Sequence, residues 1–403
     1  MRTAQPTSTM STESLKKIAY DAIDRAAADL LRVSDTIWRK PELAFEEHEA
    51  HALLTCLLKQ YGFCVDEQYT LATAFRATAG QKEGIHVAIL CEYDALPEIG
   101  HACGHNLIAE AGAAAGIGLK AALEASETLL GHLSVLGTPA EEAGGGKLSM
   151  IKSGCFSDVD FAMMVHPCPV DLPVGAFNAI DEIKVTYTGK ASHAAAFPWE
   201  GVNALDAAVS AYNGISMLRQ QMKPSWRVHG IFTNGGAKPN IIPEKAELEY
   251  YVRAPTAREL AALKEKTMAV FRGAGQAAGC KVDIESGTCY SNLISNTDLI
   301  QLYTENAKKL GIQFPDNLDS AVGGSTDMGN VSYVVPSIHP NYSIGSKAIN
   351  HTRDFTAASN TNHAHERTLI AAKALAATAI DVLVNPLSLH KIKETFKQQV
   401  KDS

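Results

Sequence analysis

Side chains that bind divalent cations gather at the ends of short apolar runs in this chain. Ile85–Cys91 leads into Glu92-Tyr93-Asp94-Ala95-Leu96-Pro97. His132–Leu136 leads through Gly137-Thr138-Pro139 to Glu141-Glu142, and Val159–Val165 leads into His166. Such runs read as strands buried on both faces. In an open α/β sheet, ligands bind beyond the carboxyl ends of the strands. The loop His101-Ala102-Cys103-Gly104-His105-Asn106 opens an Ala-rich helical stretch. Thiolate, imidazole and carboxylate together form the ligand set of zinc. A lone Cys-Gly-His is more often a helix start with an incidental thiol. The further donors at the strand ends shift the weighing toward a metal site that includes Cys103 and His105.

Adjacent glutamates are usually a solvated acidic turn. Glu141 and Glu142 instead follow a buried run, and neighbouring side chains just past a strand point to different sides. One can then hold a metal while the other takes a proton from an attacking water. His166, at a strand end, reads equally as a ligand or a structural hydrogen-bonder. His351, in Asn350-His351-Thr352-Arg353-Asp354-Phe355, has the least support from chemistry alone, and His339 is its nearest rival. His193, in Gly189-Lys190-Ala191-Ser192-His193, follows a strand and takes no role from spacing. Gly323-Gly324-Ser325-Thr326-Asp327 reads as a turn or as a carboxylate cradle of backbone N–H groups. Other chemistries are unsupported: there is no G-x-S-x-G, no Walker A, no H-E-x-x-H, and no G-x-G-x-x-G after a strand.

The elements that must position these residues fall into two patterns. The length of 403 residues favours two domains, or one large domain with an insertion. The composition is 46% hydrophobic and 20% charged, which is ordinary for a globular chain. A net charge of -8 argues against a broad nucleic-acid footprint. No apolar run reaches a membrane span of about 18 residues. The eight cysteines are too few and too scattered for a disulfide scaffold, and apart from Cys103 they read as small buried hydrophobes in a reducing compartment. The polar N-terminus resembles no secretory signal. The expectation is a flexible tail over 1–14 and a cytoplasmic location.

Helical spacing covers 15–62 with a break at Lys40-Pro41, then about 106–125 and about 361–383. From about Asp181 the texture changes. Ile183–Thr188 alternates, a helix follows at about 203–222, and strands follow at Arg227–Thr233 and Ala246–Arg253. A helix at 257–278 and a strand at Lys281–Glu285 complete the order βαββαβ, that of a ferredoxin-like α+β unit. The expected architecture is an α/β domain of 15–180 and 291–403, with a mostly parallel sheet flanked by helices. An inserted domain of 181–290 interrupts it.

EYDALPEIGHACGHN, GTPAEEAGGGK, MMVHP, GKASHAAAFPWEGVNAL, GGAKPNIIPEKAELEYYVR and GGSTDMGNVS, in that order, resemble the dinuclear metallopeptidase family. That family holds aminoacylases, glutamate carboxypeptidases, hippurate hydrolases and auxin-conjugate amidohydrolases. The resemblance runs from about residue 15 to 385. HACGHNLIAE and GTPAEE are most similar to its group of dipeptidases acting on Xaa-Arg and β-alanyl-lysine substrates. The resemblance implies two divalent metals, zinc by preference for thiolate, with manganese or cobalt as alternatives. It implies Cys103 as bridging ligand, with His105, Glu142, His166 and His351 completing the set. Glu141 would be the general base. His193, from the lid, would stabilise the oxyanion, in dimeric members within the partner's site. Asn240, Arg253, Gly324, Ser325 and Thr326 match positions near the substrate. A homodimer through the inserted lid and dimerisation domain follows in the same way.

Two positions depart from the family pattern. Many relatives carry a histidine ligand two residues before the aspartate of the first motif. Here that position is Glu92, which makes Asp94 a residue behind the ligands, with His105 supplying the imidazole. The usual C-G-H-D reads C-G-H-Asn106, removing one carboxylate that would have supported a ligand. The expected activity is hydrolysis of small dipeptides with a basic C-terminal residue (Lys, ornithine, Arg). The alternatives are N-acyl-amino acid hydrolysis of the hippurate, auxin-conjugate or aminobenzoyl-glutamate type, a non-catalytic amino-acid-binding paralogue, and a thiol enzyme using Cys103 and His105.

Overall fold

A computed structural model describes residues 10–126, 131–315 and 324–403. In chain order the elements are α1 (Thr12–Arg39), α2 (His48–Gln60), β1 (Cys64–Asp66), β2 (Phe75–Gly80), β3 (Ile85–Cys91), α3 (His105–Ala125), β4 (Gly131–Gly137), α4 (Gly146–Lys152), β5 (Phe161–Met163) and β6 (His166–Cys168). They continue with β7 (Ala179–Thr188), α5 (Ala204–Leu218), β8 (Arg227–Asn234), β9 (Lys245–Ala254), α6 (Ala257–Ala278) and β10 (Lys281–Tyr290). The last are α7 (Thr297–Lys309), α8 (Met328–Val331), β11 (Ser337–Ile338), β12 (Asn341–Ser343), α9 (Arg353–Ala358), α10 (Asn362–Val384) and α11 (Pro386–Asp402). Two short 3₁₀ turns lie at Pro198–Glu200 and Arg219–Gln221. The chain divides into two compact units.

The first unit holds the described residues of 10–176, 294–315 and 330–402. Its six-stranded sheet has the order β1-β2-β4-β3-β5-β11. The stretch β4-β3-β5-β11 is parallel, and β1 and β2 add an antiparallel edge. The interior strand β3 is buried along almost its whole length. Helix α3 is nearly all buried and rich in Ala and Gly. The small residues matter, because a Cβ at Gly112 would stand 2.4 Å from Cys91 Sγ. Only glycine lets the helix lie this close to the end of β3, and so brings its N-terminal His105 to the strand's carboxyl end.

Helix α1 starts earlier than the expected tail allows. The Ser11 hydroxyl accepts the Ser14 N–H and caps the first turn, so Thr12–Ser14 are helical. Residues 1–9 of the expected tail lie outside the described residues. The helix ends at Arg39, before Lys40-Pro41, where proline disfavours helical geometry in its predecessor. The expected single strand Val159–Val165 is divided. Phe161–Met163 joins the main sheet, while His166 opens β6, which pairs in parallel with β12. His166 therefore starts a strand rather than following one.

The second unit holds 177–293 with 324–329. Its antiparallel sheet has the order β10-β7-β9-β8. Asn203 caps α5 and Thr256 caps α6 through their side chains. Alternation places Ile183, Val185, Tyr187, Leu248, Tyr250 and Val252 in the core with Ala207, Ala211, Leu263 and Phe271 of the helices. The expected limits of 181 and 290 do not coincide with this unit: β7 already begins at Ala179. The 324–329 segment, expected with 291–403, belongs here. The Asn178 N–H donates to Gly324 O at 2.8 Å, and a bridge joins Phe177 to Gly324. Among the described residues, no single helix is long and apolar enough to cross a membrane.

Candidate metal centre

In the first unit, Cys103, His105, Glu141, Glu142, His166 and His351 converge. Three sets have ligand atoms within 4.8 Å of one another: Cys103 with His105 and His166, Cys103 with Glu142 and His351, and His105 with Glu141 and Glu142. Cys103, His105 and Glu142 each belong to two of the sets, so the three candidate sets share donors. Cys103 Sγ lies 3.4 Å from His166 Nε2. His351 Nε2 lies 3.4 Å from Glu142 Oε1. His105 Nε2 stands 3.8 Å from Glu142 Oε1 and 3.9 Å from Glu141 Oε2.

Local backbone aims these groups. Gly104 holds a left-handed φ of 79°, and a Cβ there would meet Pro167 Cγ at 2.6 Å. Ala140 (φ 59°) and His351 (φ 65°) adopt the same region without being glycine, a cost that surrounding contacts must sustain. Ala140 is held by Glu47, a fully buried carboxylate. Glu47 Oε1 accepts the Ala140 and Phe45 N–H groups at 2.9 and 3.0 Å, and Oε2 accepts the Thr73 hydroxyl at 2.8 Å. The His351 N–H donates to Ala102 O at 2.8 Å. Asn350 Nδ2 donates to Pro167 O at 3.1 Å and Cys103 O at 3.3 Å, tying three loops together.

Asp94 touches ligands from behind. Its Oδ1 lies 3.1 Å from His105 Nδ1, and its Oδ2 accepts the Glu142 N–H at 2.9 Å. That leaves His105 Nε2 buried and without a hydrogen-bond partner among the described residues. His166 Nδ1 lies 2.8 Å from Pro167 O, which directs its Nε2 to the cluster. Asn106 does not stand behind a ligand. One residue further around α3, it donates to Ser34 Oγ and Ser359 O instead. His339, the rival of His351, is buried with its ring centroid 5.4 Å from that of His166, and belongs to none of the three sets.

Electrostatics favours a cation here. Burial and the charge of Glu142 push the Cys103 thiol well above its ordinary value. Burial alone would lower His105, but Asp94 and Cys103 raise it well above normal. Burial raises Glu142, yet its bond from His351 and the charge of His105 bring it down overall. Burial and the positive charge of His105 lower His166 to about 4, keeping it neutral. Acids and a thiol packed around imidazoles are what a divalent cation stabilises, since it ionises a coordinating thiol outright. The partnerless Nε2 and the donor set fit such ions.

Sequence reasoning missed Lys147, Glu47 and Asn350 as parts of this assembly. Lys147 Nζ lies 2.6 Å from Glu92 Oε1, both groups being fully buried. Glu47 sits in an acidic run, and Lys147 follows a glycine run, so neither announces its burial.

The second unit carries the remaining predicted residues. His193 is exposed, and its Nδ1 accepts the Ala195 and Ala196 N–H groups at 3.3 and 3.2 Å. Its proton therefore sits on Nε2, the tautomer that can donate to an oxyanion. The Ala194 N–H donates to Asn240 O at 3.0 Å, so these two positions are neighbours. Arg253 Nη1 donates to Ser325 Oγ at 3.1 Å. Thr326 is buried, and its Oγ1 accepts the Met328 N–H. Its hydroxyl closes a turn.

Comparison with known proteins is consistent with this picture. Residues 176–277 match the peptidase dimerisation domain. The chain is 50% identical to the Xaa-Arg dipeptidase of Mus musculus, over 100% of this chain and 97% of that protein. It is 48% identical to the Xaa-Arg dipeptidase of Homo sapiens, over 97% and 94%. Its fold is similar to that of the Bacillus subtilis YXEP protein, described as a dinuclear metal binding peptidase from the M20 family. There the TM-score is 0.68 at 21% identity, covering 89% of this chain and 99% of that one. Identity of this extent over the full length, together with the six co-ordered motifs, means that the chain belongs to the dinuclear metallopeptidase and amidohydrolase family.

Proposed function

We propose that this protein is a metal-dependent dipeptidase that releases a basic C-terminal residue, Lys, ornithine or Arg, from small dipeptides. The observation that carries the reading is the pair Glu141 and Glu142. They are adjacent, both face His105, and Glu142 also meets His351. Glu142 is the proposed ligand and Glu141 the proposed proton carrier. Two divalent cations, if held by these donors, would supply Lewis acidity and a more acidic water. Glu141 takes the proton of the attacking water and returns it to the leaving amine. His193 Nε2–H donates to the developing oxyanion. Arg253, steadied by Ser325, pairs with the C-terminal carboxylate.

The preference for basic substrates is supported by the names of the curated relatives. Zinc is the proposed metal, since Cys103 supplies a soft ligand; manganese and cobalt suit the same site less well. The proposed assembly is a homodimer through the second unit, supported by the dimerisation-domain match and by exposed Tyr212, Met217, Ile231 and Phe232. A cytoplasmic location is the proposal that the sequence supports, since its eight scattered cysteines form no disulfide framework of a secreted domain.

Glu141→Ala is expected to keep stoichiometric metal and lose about 10²–10⁴-fold in turnover. Near-normal turnover would sink the mechanism. A panel of β-alanyl-lysine, Gly-Arg, hippurate and aminobenzoyl-glutamate tests the substrate. Cleavage of hippurate alone would replace the dipeptidase reading by the N-acyl-amino acid one.

A further inference from the structure

We propose that Tyr251, backed by His229, is a positioning residue for Arg253, so that affinity for the substrate's C-terminal carboxylate depends on this stack of three side chains. The inference rests on the assignment of Arg253 to that carboxylate and names what holds the guanidinium in place.

Strand register brings the three together. Tyr251 and Arg253 are two apart on β9, so they stand on one face of the sheet, while Val252 between them enters the core. His229 on β8 is the register partner of Tyr251 and shares that face. The guanidinium carbon of Arg253 lies 5.9 Å from the Tyr251 ring centroid, within the range of a cation–π contact. The His229 ring meets Tyr251 edge to face, with centroids 5.8 Å apart and ring planes at 86°.

Arg253 is a half-buried cation still in need of an anion. Its Nη1 donates to Ser325 Oγ at 3.1 Å. Among the described residues of its unit, no carboxylate forms an ion pair with it. Burial already works against its charge, so an arriving carboxylate is favoured. Two neighbouring arginines are engaged elsewhere. Arg227, its register partner on β8, donates to Trp226 O at 2.8 Å, and Arg219 donates to Val228 O at 3.0 Å. Burial and the charge of Arg253 lower the pKa of His229, which keeps its ring neutral and adds no second cation to the stack. Ser325 and the Tyr251 ring thus hold the guanidinium by two different contacts. Its remaining N–H groups are left for a carboxylate, which a guanidinium binds through two parallel bonds.

The test compares β-alanyl-lysine with β-alanyl-lysinamide, which lacks the carboxylate. Tyr251→Leu removes the ring, and Tyr251→Phe keeps it. The leucine variant should raise KM for the acid by about 2–30-fold with kcat near wild type. Its kcat/KM for the amide should stay at the wild-type value. The phenylalanine variant should restore the wild-type KM. A leucine variant with unchanged KM for the acid, or with equal losses on both substrates, overturns the proposal. So does a fall in kcat with KM unchanged. Arg253→Met tests the underlying assignment: wild type should prefer the acid by at least about tenfold, and this variant should erase the preference. If Arg253→Met keeps the preference, the carboxylate assignment fails and the stack with it. If it erases the preference while Tyr251→Leu leaves it whole, the stack alone fails. Circular dichroism and metal content confirm that each variant is folded and loaded. Should Tyr251→Leu not fold, His229→Ala, at an exposed position, carries the test. A rise in KM confined to the acid supports the stack, and an unchanged KM overturns it.

Discussion

His105 Nδ1 lies 3.1 Å from Asp94 Oδ1, and both side chains are fully buried. This contact fixes which imidazole nitrogen faces the cluster. The other carboxylate oxygen of Asp94 accepts the backbone N–H of Glu142 at 2.9 Å. One aspartate at the end of the first motif thus orients a candidate ligand from the start of α3 and the turn that carries a second candidate.

Asp94→Asn should therefore weaken metal binding without removing a ligand. The amide cannot hold Nδ1–H and accept the Glu142 N–H with the same charge. Loss of such a supporting partner typically costs 10–100-fold in metal affinity. Chelator competition on the purified variant measures this directly. An unchanged affinity would show that His105 is oriented by packing alone.

Glu47 is the other positioning carboxylate, and it acts through backbone strain. It supports the left-handed Ala140 next to the proposed base, and burial raises its pKa despite bonds that lower it. Glu47→Gln halves the acceptor oxygens for the Ala140, Phe45 and Thr73 donors. A buried donor left unsatisfied costs about 1–3 kcal/mol. The melting temperature should fall, and kcat should fall more than KM changes, because Glu141 moves and no substrate contact is lost. Thermal melts with steady-state kinetics check both parts.

Some of this was legible in the sequence, and the reasons differ by element. Ile85–Cys91 and 257–278 matched their strand and helix because burial on both faces, or on one helical stripe, writes a clear period. Phe75–Gly80 was missed because this strand, paired between β1 and β4, reads Phe-Arg-Ala-Thr-Ala-Gly and has little β-branched content. Helix α11 was missed because it buries Ile392 and little else. Cys103, His105, Glu141 and Glu142 stood out as ligand types at element ends. His351 was preferred to His339 only through the family resemblance, since both sit in short loops far along the chain and residue type alone does not separate them. Asn106 was misread because its side chain satisfies Ser34 and Ser359 around the helix, which motif spacing does not encode. Glu92 was noted only as a missing histidine, because its lysine partner lies 55 positions away.

The proposed dimer has a definite seam to test. Strand β8 is at the edge of its sheet, and exposed edges template pairing with another chain. Ile231 is 62% exposed and Met217 74%, and the exposed rings of Tyr212 and Phe232 meet with centroids 5.6 Å apart. Ile231→Lys with Met217→Glu is expected to halve the mass measured by light scattering while leaving the circular dichroism spectrum unchanged. A mass equal to wild type would place the interface elsewhere or remove it.

Acid sensitivity should reside partly at the opposite, amino-terminal end of the sheet. His86 and His132 stack there at 4.1 Å, beside Arg76, Lys82 and Asp158. Burial, the charge of His86 and that of Arg76 lower His132 to about 4. Burial also lowers His86, against the pull of Asp158. Above about pH 6.5 both histidines are neutral in the folded and unfolded chain and contribute no pH dependence. Between there and about pH 4 the unfolded chain binds protons that the fold refuses, so stability declines as pH falls. His132→Asn removes one such group and the repulsion it imposes on His86. Melting temperatures between about pH 7 and about pH 5 should drop less in the variant than in wild type. Parallel curves would mean that His132 is solvated enough to titrate normally in the fold.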